Sequence, residues 1–296
     1  MHNADLAKHA RWVREYYDHN TRRFLKWGKD EGTLNMHAAL WPPEVQSLHG
    51  AMHYSNELVA REIERPLSPV ARVLDLGCGV GGSLFYLGHR LPRIQTFIGI
   101  SLSPVQIAYA RKKLPGAQKE RFHFEEGSFQ QLDPERFKAD FAFSIEAVAH
   151  GDDPEAFFAA LRGVLQPGGR LVLIDDTLSD RSRPERLTDR QRRLLETYQR
   201  NWLLPGLRDL PALKAFAEAQ GFSLIKDQNL TPYLRLRRPR DKLISWWVRL
   251  MGSWMERGYY RRALLGGDAK QKCYLAGLIH YRLLVFEKRP NAAGNE

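Results

Sequence analysis

The chain has 296 residues, of which 43% are hydrophobic and 27% are charged, fractions typical of a soluble globular protein. Its formal net charge of +11 has two interpretations: an anionic partner, such as nucleic acid, a membrane surface or a substrate, or only a composition rich in arginine. The two cysteines, Cys78 and Cys273, exclude a disulfide framework, and no stretch is long and apolar enough to predict a membrane-spanning helix. Because the first residues lack the apolar run of a signal peptide, we expect a cytoplasmic protein.

The N-terminal part of the chain predicts a helical cap over residues 1–66. Apolar residues recur at helical spacing over 4–27. A second helix is predicted over 43–64, with its proline tolerated in the first turn.

The segment 73–82, VLDLGCGVGG, predicts a buried strand that runs into a glycine turn, followed by a helix over 83–91. Glycines at such a turn adopt positive φ and let the backbone approach a ligand closely. The helix N-terminus beyond the turn attracts an anion. Gly77, Gly79 and Gly82 match the dinucleotide pattern G-x-G-x-x-G, which is weak evidence alone.

A longer pattern overlaps this one. Asp75, Gly77, Gly79 and Gly81 form D-x-G-x-G-x-G, which resembles motif I of the class I S-adenosylmethionine (AdoMet) methyltransferases. The resemblance implies that the acid and the glycines hold the amino-acid end of AdoMet.

The next predicted strand, over 96–100, discriminates between the two cofactors. A nicotinamide fold needs an acid near this strand end for the ribose, or an arginine for a 2′-phosphate, and the sequence has neither. The run GISLSPVQ resembles a motif of tocopherol, sterol and cyclopropane-forming methyltransferases, and the GISIS motif of sugar O-methyltransferases. That resemblance implies a ribose site at Ser101, Leu102 and Gln106.

From residue 70 onward strands and helices alternate, which predicts an α/β fold. The expected architecture is the Rossmann-like seven-stranded methyltransferase sheet, with an N-terminal helical cap and a helical insertion before the last strand. The predicted divisions are a cap (1–66), an AdoMet-binding core (67–230), a helical lid or substrate insertion (231–275) and the last core strand with the tail (276–296). The predicted strands cover 72–76, 96–100, 122–126, 141–144, 170–175, 222–226 and 278–286, and the later helices cover 104–113, 154–165, 185–204, 211–220 and 241–257.

Two further strand ends resemble small-molecule methyltransferases. Gly127-Ser128-Phe129 occupies the place of the adenine contact, so Ser128 would accept a hydrogen bond and Phe129 would stack on the ring, with core packing as the alternative for Phe129. The strand over 141–144 leads into an E-x-x-x-H element, and Ile145 is assigned to the cofactor site with it. The N/D-P-P-Y/F element of enzymes that methylate nucleic-acid bases is absent here, which argues against a nucleic-acid partner.

His150 is the leading candidate for a catalytic base, because neutral imidazole accepts protons at ordinary pH. In sugar O-methyltransferases a histidine and an aspartate at matching positions form a pair, which implies that Asp176 orients His150. Glu146 is the alternative base, or it fixes the sulfonium region. A capping or surface position is the structural alternative for His150. No metal-ligand spacing is visible.

The stretch Asn35-Met36-His37-Ala38-Ala39-Leu40-Trp41 resembles a segment that precedes motif I in small-molecule methyltransferases and covers the methionine end of AdoMet. His37 and Trp41 are therefore candidates for substrate binding, and packing of the cap is an equally weighted alternative.

A basic, aromatic segment over 235–262 has three interpretations. It could bind an anionic lipid surface, hold an apolar substrate with an anionic head, or pack as an ordinary helix with solvated charges. Trp247 and Arg238 are the candidate substrate contacts, and an apolar stripe over 243–254 predicts the helix.

These features together predict methyl transfer from AdoMet to a small, largely apolar metabolite of specialised or isoprenoid type. The alternatives are a sugar or phenol O-methyltransferase of natural-product tailoring, an NAD(P)-dependent oxidoreductase and a non-catalytic binding subunit. The sequence leaves the acceptor atom and the oligomeric state open.

Overall fold

The computed structural model describes residues 3–27, 32–65, 69–114, 116–251 and 258–290. Seven strands form one sheet in the order β3-β2-β1-β4-β5-β7-β6. β7 runs antiparallel to both of its neighbours, β5 and β6, and the other pairs of neighbouring strands are parallel. The strands are β1 (Arg72–Leu76), β2 (Thr96–Ser101), β3 (Phe122–Glu126), β4 (Ala139–Ile145), β5 (Leu165–Leu178), β6 (Phe222–Asn229) and β7 (Ile279–Lys288). The helices are α1 (Asn3–Trp27), α2 (Leu48–Glu64), α3 (Gly82–Arg90), α4 (Pro104–Lys113), α5 (Pro154–Val164), α6 (Asp189–Trp202), α7 (Leu210–Ala219), α8 (Pro239–Met251) and α9 (Tyr259–Leu275).

The central parallel strands β1, β2 and β4 are buried on both faces, which explains their nearly continuous apolar sequences. Helices cover the two faces and form two apolar layers. The strand order reverses between β1 and β4, where α/β sheets bind ligands beyond the carboxyl ends of their strands. The predicted fold class is therefore confirmed, and the sheet places the glycine turn at this switch point. None of the helices in the described ranges has the length and apolar character of a bilayer span.

Several element boundaries differ from the prediction. α2 begins at Leu48 rather than at 43, because the Ser47 side chain caps it by accepting a hydrogen bond from the Gly50 amide. β5 extends to Leu178. The helix predicted over 241–257 is described only to Met251, so Trp254 lies outside the described residues.

The insertion between β6 and β7 contains a second helix, α9, that the prediction missed. The adjacent glycines Gly266 and Gly267 weaken the helical signal in the sequence. Gly266 is buried against Trp202 of α6, and a Cβ placed on it would lie 2.1 Å from the ring. The glycine therefore permits the close packing of α9 on α6.

Gly266→Ala should lower the stability of the protein, although alanine is the better helix former. The methyl group must displace Trp202, and overpacking of this kind costs about 1–3 kcal/mol. Gly267→Ala is the matched control, because its Cβ would lie 3.9 Å from the same ring, an ordinary contact. Thermal unfolding should show a lower Tm for the first variant and an equal or higher Tm for the second; equal losses in both would contradict the packing role.

Candidate active site

A cavity of about 430 Å³ opens beyond the carboxyl ends of the parallel strands. Its floor is the turn after β1, and its walls come from the ends of β2 and β4 and from the turn after β3. Its roof comes from α1, the segment 34–41, and helices α8 and α9. One continuous space therefore joins the glycine turn to the helical insertion.

The glycine turn has the backbone shape that its sequence predicts. Gly77, Gly79 and Gly81 adopt φ of 103°, 54° and 86°, conformations that side chains disfavour. Gly77 and Gly79 line the cavity, and so does Asp75, whose pKa burial raises well above its ordinary value. Gly81 does not line it; it caps α3 in the left-handed conformation with no side-chain hydrogen bond, so its predicted cofactor contact is corrected to a role in shaping the turn.

Beyond β2, a buried hydroxyl fixes a buried amide. Ser101 Oγ donates to Gln106 Oε1 at 2.7 Å, and this leaves Gln106 Nε2 buried without a hydrogen-bond partner in the structure. A buried amide without a partner is costly unless a ligand accepts from it. Ser101, Leu102 and Gln106 all line the cavity, as do Ser128, Phe129 and Ile145.

His150 lies in a buried 3₁₀ turn after β4 and makes two ring hydrogen bonds. Its Nδ1 donates to the Leu203 carbonyl at 3.1 Å, and its Nε2 therefore accepts from the Tyr17 hydroxyl, 2.8 Å away. Leu203 ends α6 in the left-handed conformation, which directs its carbonyl toward the imidazole. Burial lowers the pKa of His150 to about 4 and raises that of Tyr17 well above 10. The pair is therefore a neutral base hydrogen-bonded to a neutral phenol.

Asp176 does not orient His150, and this prediction is wrong. Its carboxylate is buried behind the cavity wall, where it accepts from the Tyr198 and Tyr274 hydroxyls and pairs with Lys270 Nζ at 3.0 Å. The carbonyl of Leu203 takes the place that the prediction gave to this carboxylate.

Glu146 lines the cavity and joins three elements of its wall. It accepts from the Ala38 amide at 2.7 Å and from the Tyr281 hydroxyl at 2.9 Å, and it lies 3.6 Å from Lys270 Nζ. Burial opposes its ionisation, but Lys270, His37 and these hydrogen bonds hold its pKa below the ordinary value. Glu146 is therefore a carboxylate at neutral pH, and its predicted catalytic role stays a prediction.

Of the four predicted substrate contacts, three line the cavity and one does not. His37 and Trp41 line the cavity, and the Arg235 guanidinium stacks 3.4 Å from the Trp41 ring centre. Arg238 also lines the cavity, but its guanidinium is already paired: Nη2 and Nε donate to the Asp241 carboxylate at 2.9 and 2.8 Å.

Trp247 is wrongly predicted as a substrate contact. Its side chain is 46% exposed and does not line the cavity. It lies on the outer surface of α8. One turn of this helix has positions that face the cavity and positions that face outward, and the sequence alone does not tell them apart.

Residues 74–173 match the family model described as a methyltransferase domain. The chain is 27% identical over 186 residues to 24-methylenesterol C-methyltransferase 2 of Arabidopsis thaliana, an alignment that covers 62% of the chain and 48% of that relative. The chain spans about half the length of the curated relatives it matches.

Among solved structures, the cyclopropane synthase MmaA2 of Mycobacterium tuberculosis matches with a TM-score of 0.72 at 20% identity, covering 93% of this chain and 97% of that one. Geranyl diphosphate C-methyltransferase of Streptomyces coelicolor matches with a TM-score of 0.67 at 15% identity, covering 95% and 97%. At these identities the likeness concerns the fold, and the family match and the motifs add the sequence evidence. Residues 74–173 are therefore similar to the methyltransferase domain of the class I S-adenosylmethionine-dependent methyltransferases.

The residues of this site fit AdoMet on structural grounds. Gly77 and Gly79 bring bare backbone to the cavity, and the uncapped first turn of α3 has amides without intrahelical partners. These amides suit the carboxylate of the amino-acid end. The free Nε2 of Gln106 suits a ribose oxygen. The predicted contacts on this cofactor side of the cavity, at Gly77, Gly79 and Gln106, fit the arrangement and stay a prediction.

The sequence missed most of the other side. Tyr17, Trp202, Lys270 and Tyr274 line the cavity or its wall, although they lie far from every motif. Tyr17 has the spacing of an ordinary core residue of α1, so only its hydrogen bond with His150 indicates a place in the site. Lys270 lies on the helix that the sequence did not predict.

The burial of neutral His150 predicts a pH dependence of stability. The folded-state pKa of about 4 lies below the ordinary 6.5, so the unfolded chain binds more protons between these values. This histidine therefore destabilises the fold as the pH falls from about 6.5 to about 4, by roughly 3 kcal/mol in total. Denaturant unfolding of His150→Gln should show a flatter dependence in this window. An equal slope in the variant and the wild type would contradict the assignment.

Proposed function

We propose that this chain transfers the methyl group of AdoMet to an alkene carbon of a small, largely apolar acceptor. The observation that carries the proposal is the single cavity, which joins the glycine turn to an aromatic chamber containing the Glu146 carboxylate and neutral His150. When bound, AdoMet supplies an electrophilic methyl group on a sulfonium, and its transfer to an alkene leaves a carbocation on the acceptor. The protein must then stabilise a cation and remove one proton.

The chamber meets the first requirement with aromatic rings and one fixed carboxylate. Trp41, Trp202, Tyr260 and Tyr274 line it, and ring faces attract cations: each of these rings already lies near a basic side chain. Glu146 adds a negative charge that its hydrogen bonds hold in place. A preorganised charge in a buried site stabilises developing positive charge without reorganisation.

His150, with Tyr17, would meet the second requirement, which is removal of one proton. A group with a pKa of about 4 is a poor match for a neutral hydroxyl, but a C–H next to a carbocation is acidic enough for it. Tyr17 and His150 both line the cavity, and the Tyr17 hydroxyl lies 2.8 Å from His150 Nε2, so its oxygen would take the proton while its own hydroxyl proton passes to Nε2. This reasoning favours C-methylation over the O-methylation alternative, which needs a stronger base.

Three arginines on the cavity wall support an acceptor with an anionic head. Arg23, Arg235 and Arg240 have no carboxylate partner among the residues that the structure describes. Guanidiniums bind phosphate oxygens in paired hydrogen bonds. The relatives named for sterols and for geranyl diphosphate suggest the compounds to test: a sterol side-chain alkene, and linear isoprenoids with and without a diphosphate.

The test uses methyl-labelled AdoMet with these acceptors, followed by mass spectrometry and NMR of the product. The proposal expects label on carbon, and faster turnover of the isoprenoid that carries the diphosphate. Label on oxygen would establish the O-methyltransferase alternative instead. AdoMet binding without transfer to any acceptor, sterol or isoprenoid, would count against the proposed acceptor class but not against the cofactor.

Gly79→Val should abolish AdoMet binding measured by calorimetry. The added Cβ would lie 2.7 Å from the Met36 methyl group, which lines the same cavity, and valine disfavours the φ of 54°. Gly116→Val is the control, because a Cβ there meets nothing within 4 Å. Normal affinity in the Gly79 variant would remove the cofactor assignment.

His150→Ala should lower kcat by roughly 10²–10⁴-fold while AdoMet affinity stays nearly unchanged. Tyr17→Phe keeps the ring but removes the hydroxyl between acceptor and imidazole, so its kcat should also fall. Unchanged kcat in both variants, with labelled product still formed, would show that water or Glu146 removes the proton.

A further inference from the structure

The outer face of α8 carries four large apolar side chains in an exposed stripe. Leu243, Trp246, Trp247 and Leu250 are 57%, 58%, 46% and 63% exposed. Their spacing of three and four residues puts them on one side of the helix. Exposed large apolar residues that cluster in this way mark an interaction site, unlike single ones scattered over a surface.

Basic residues flank the stripe on both sides. With about 100° between successive residues of an α-helix, Lys242 and Arg249 lie along one edge and Arg240 along the other. Arg237, just before the helix, is also exposed. Tryptophans and leucines on one face with lysines and arginines at its margins are the pattern of helices that lie in a membrane interface. The formal net charge of +11 has the same sign as these residues and complements anionic lipid.

The inner face of the same helix is part of the cavity wall. Asp241 and Ile244 line the cavity, and they lie on the side of α8 opposite the stripe. Arg240, at the edge of the stripe, lines the cavity as well. The helix is thus the partition between the chamber and the exposed apolar surface.

We propose that the outer face of α8 docks on an anionic lipid surface, from which the acceptor enters the cavity. The second part rests on the proposed function, since an apolar acceptor with an anionic head resides in such a surface. The four side chains would insert at the level of the headgroups, and the flanking cations would contact lipid phosphates. α8 then lies flat on the bilayer, with its inner side toward the chamber.

The first test is co-sedimentation of the full chain with vesicles of phosphatidylcholine, with and without phosphatidylglycerol. The wild type should pellet with the anionic vesicles and less so as salt rises, because salt screens the cationic flanks. Trp246→Ser combined with Trp247→Ser should lower the partition coefficient at least roughly tenfold, since each lost tryptophan removes apolar burial. Trp12→Ser is the matched control: this tryptophan of α1 is 48% exposed and should leave partition unchanged.

Three results would overturn the docking surface: no binding to either vesicle, equal binding by the double variant and the wild type, or a wild-type dimer in light scattering that the double variant converts to monomer. The last result would assign the stripe to a contact between two copies of the chain.

A second test separates docking from the proposed function. With acceptor embedded in vesicles, the double variant should lose turnover; with a short soluble acceptor it should match the wild type. Vesicle binding that depends on the tryptophans, without methyl transfer to any acceptor, would keep the docking surface and overturn the function. Equal turnover of vesicle-borne acceptor by both proteins would overturn the entry of acceptor from lipid.

Discussion

The cavity depends on one carboxylate. Glu146 follows β4 with a φ of 54°, a conformation that costs a non-glycine residue about 1–2 kcal/mol. In this position it accepts from Ala38 of the N-terminal cap and Tyr281 of β7 and pairs with Lys270 of α9. These elements are distant in sequence, and together they close the chamber over the strand ends. A buried carboxylate of this kind is stable only while its partners remain.

Two ionisable groups in the same cavity have opposite surroundings, and this difference decides their chemistry. Glu146 has a cation and two donors, so it keeps its charge in spite of burial. His150 has a carbonyl and a phenol, so burial keeps it neutral. In the proposed reaction Glu146 would stabilise positive charge and His150 would accept a proton.

The sequence predicted the sheet and the cofactor side because both depend on local signals. The strand at 72–76, the glycine turn and the run that ends at Gln106 each carry their pattern within about ten residues, and each is where it was expected. The chamber depends on contacts across the chain, which one sequence does not display. Asp176 was assigned to the wrong partner for this reason, since its tyrosines and Lys270 come from α6 and α9. Trp247 was assigned to the wrong face because periodicity gives an apolar stripe but not the side that is buried.

Hydrogen–deuterium exchange of Glu146→Gly tests the role of this carboxylate most directly. Glycine accepts the φ of 54° without steric cost, so the substitution removes the carboxylate and relieves the backbone at once. If Glu146 ties the roof, peptides covering 33–41 and 270–275 should exchange faster than in the wild type, while those covering 72–76 and 96–101 stay protected. Unchanged or slower exchange over 33–41 would show that the roof is held by its own packing, and would contradict this account of the cavity.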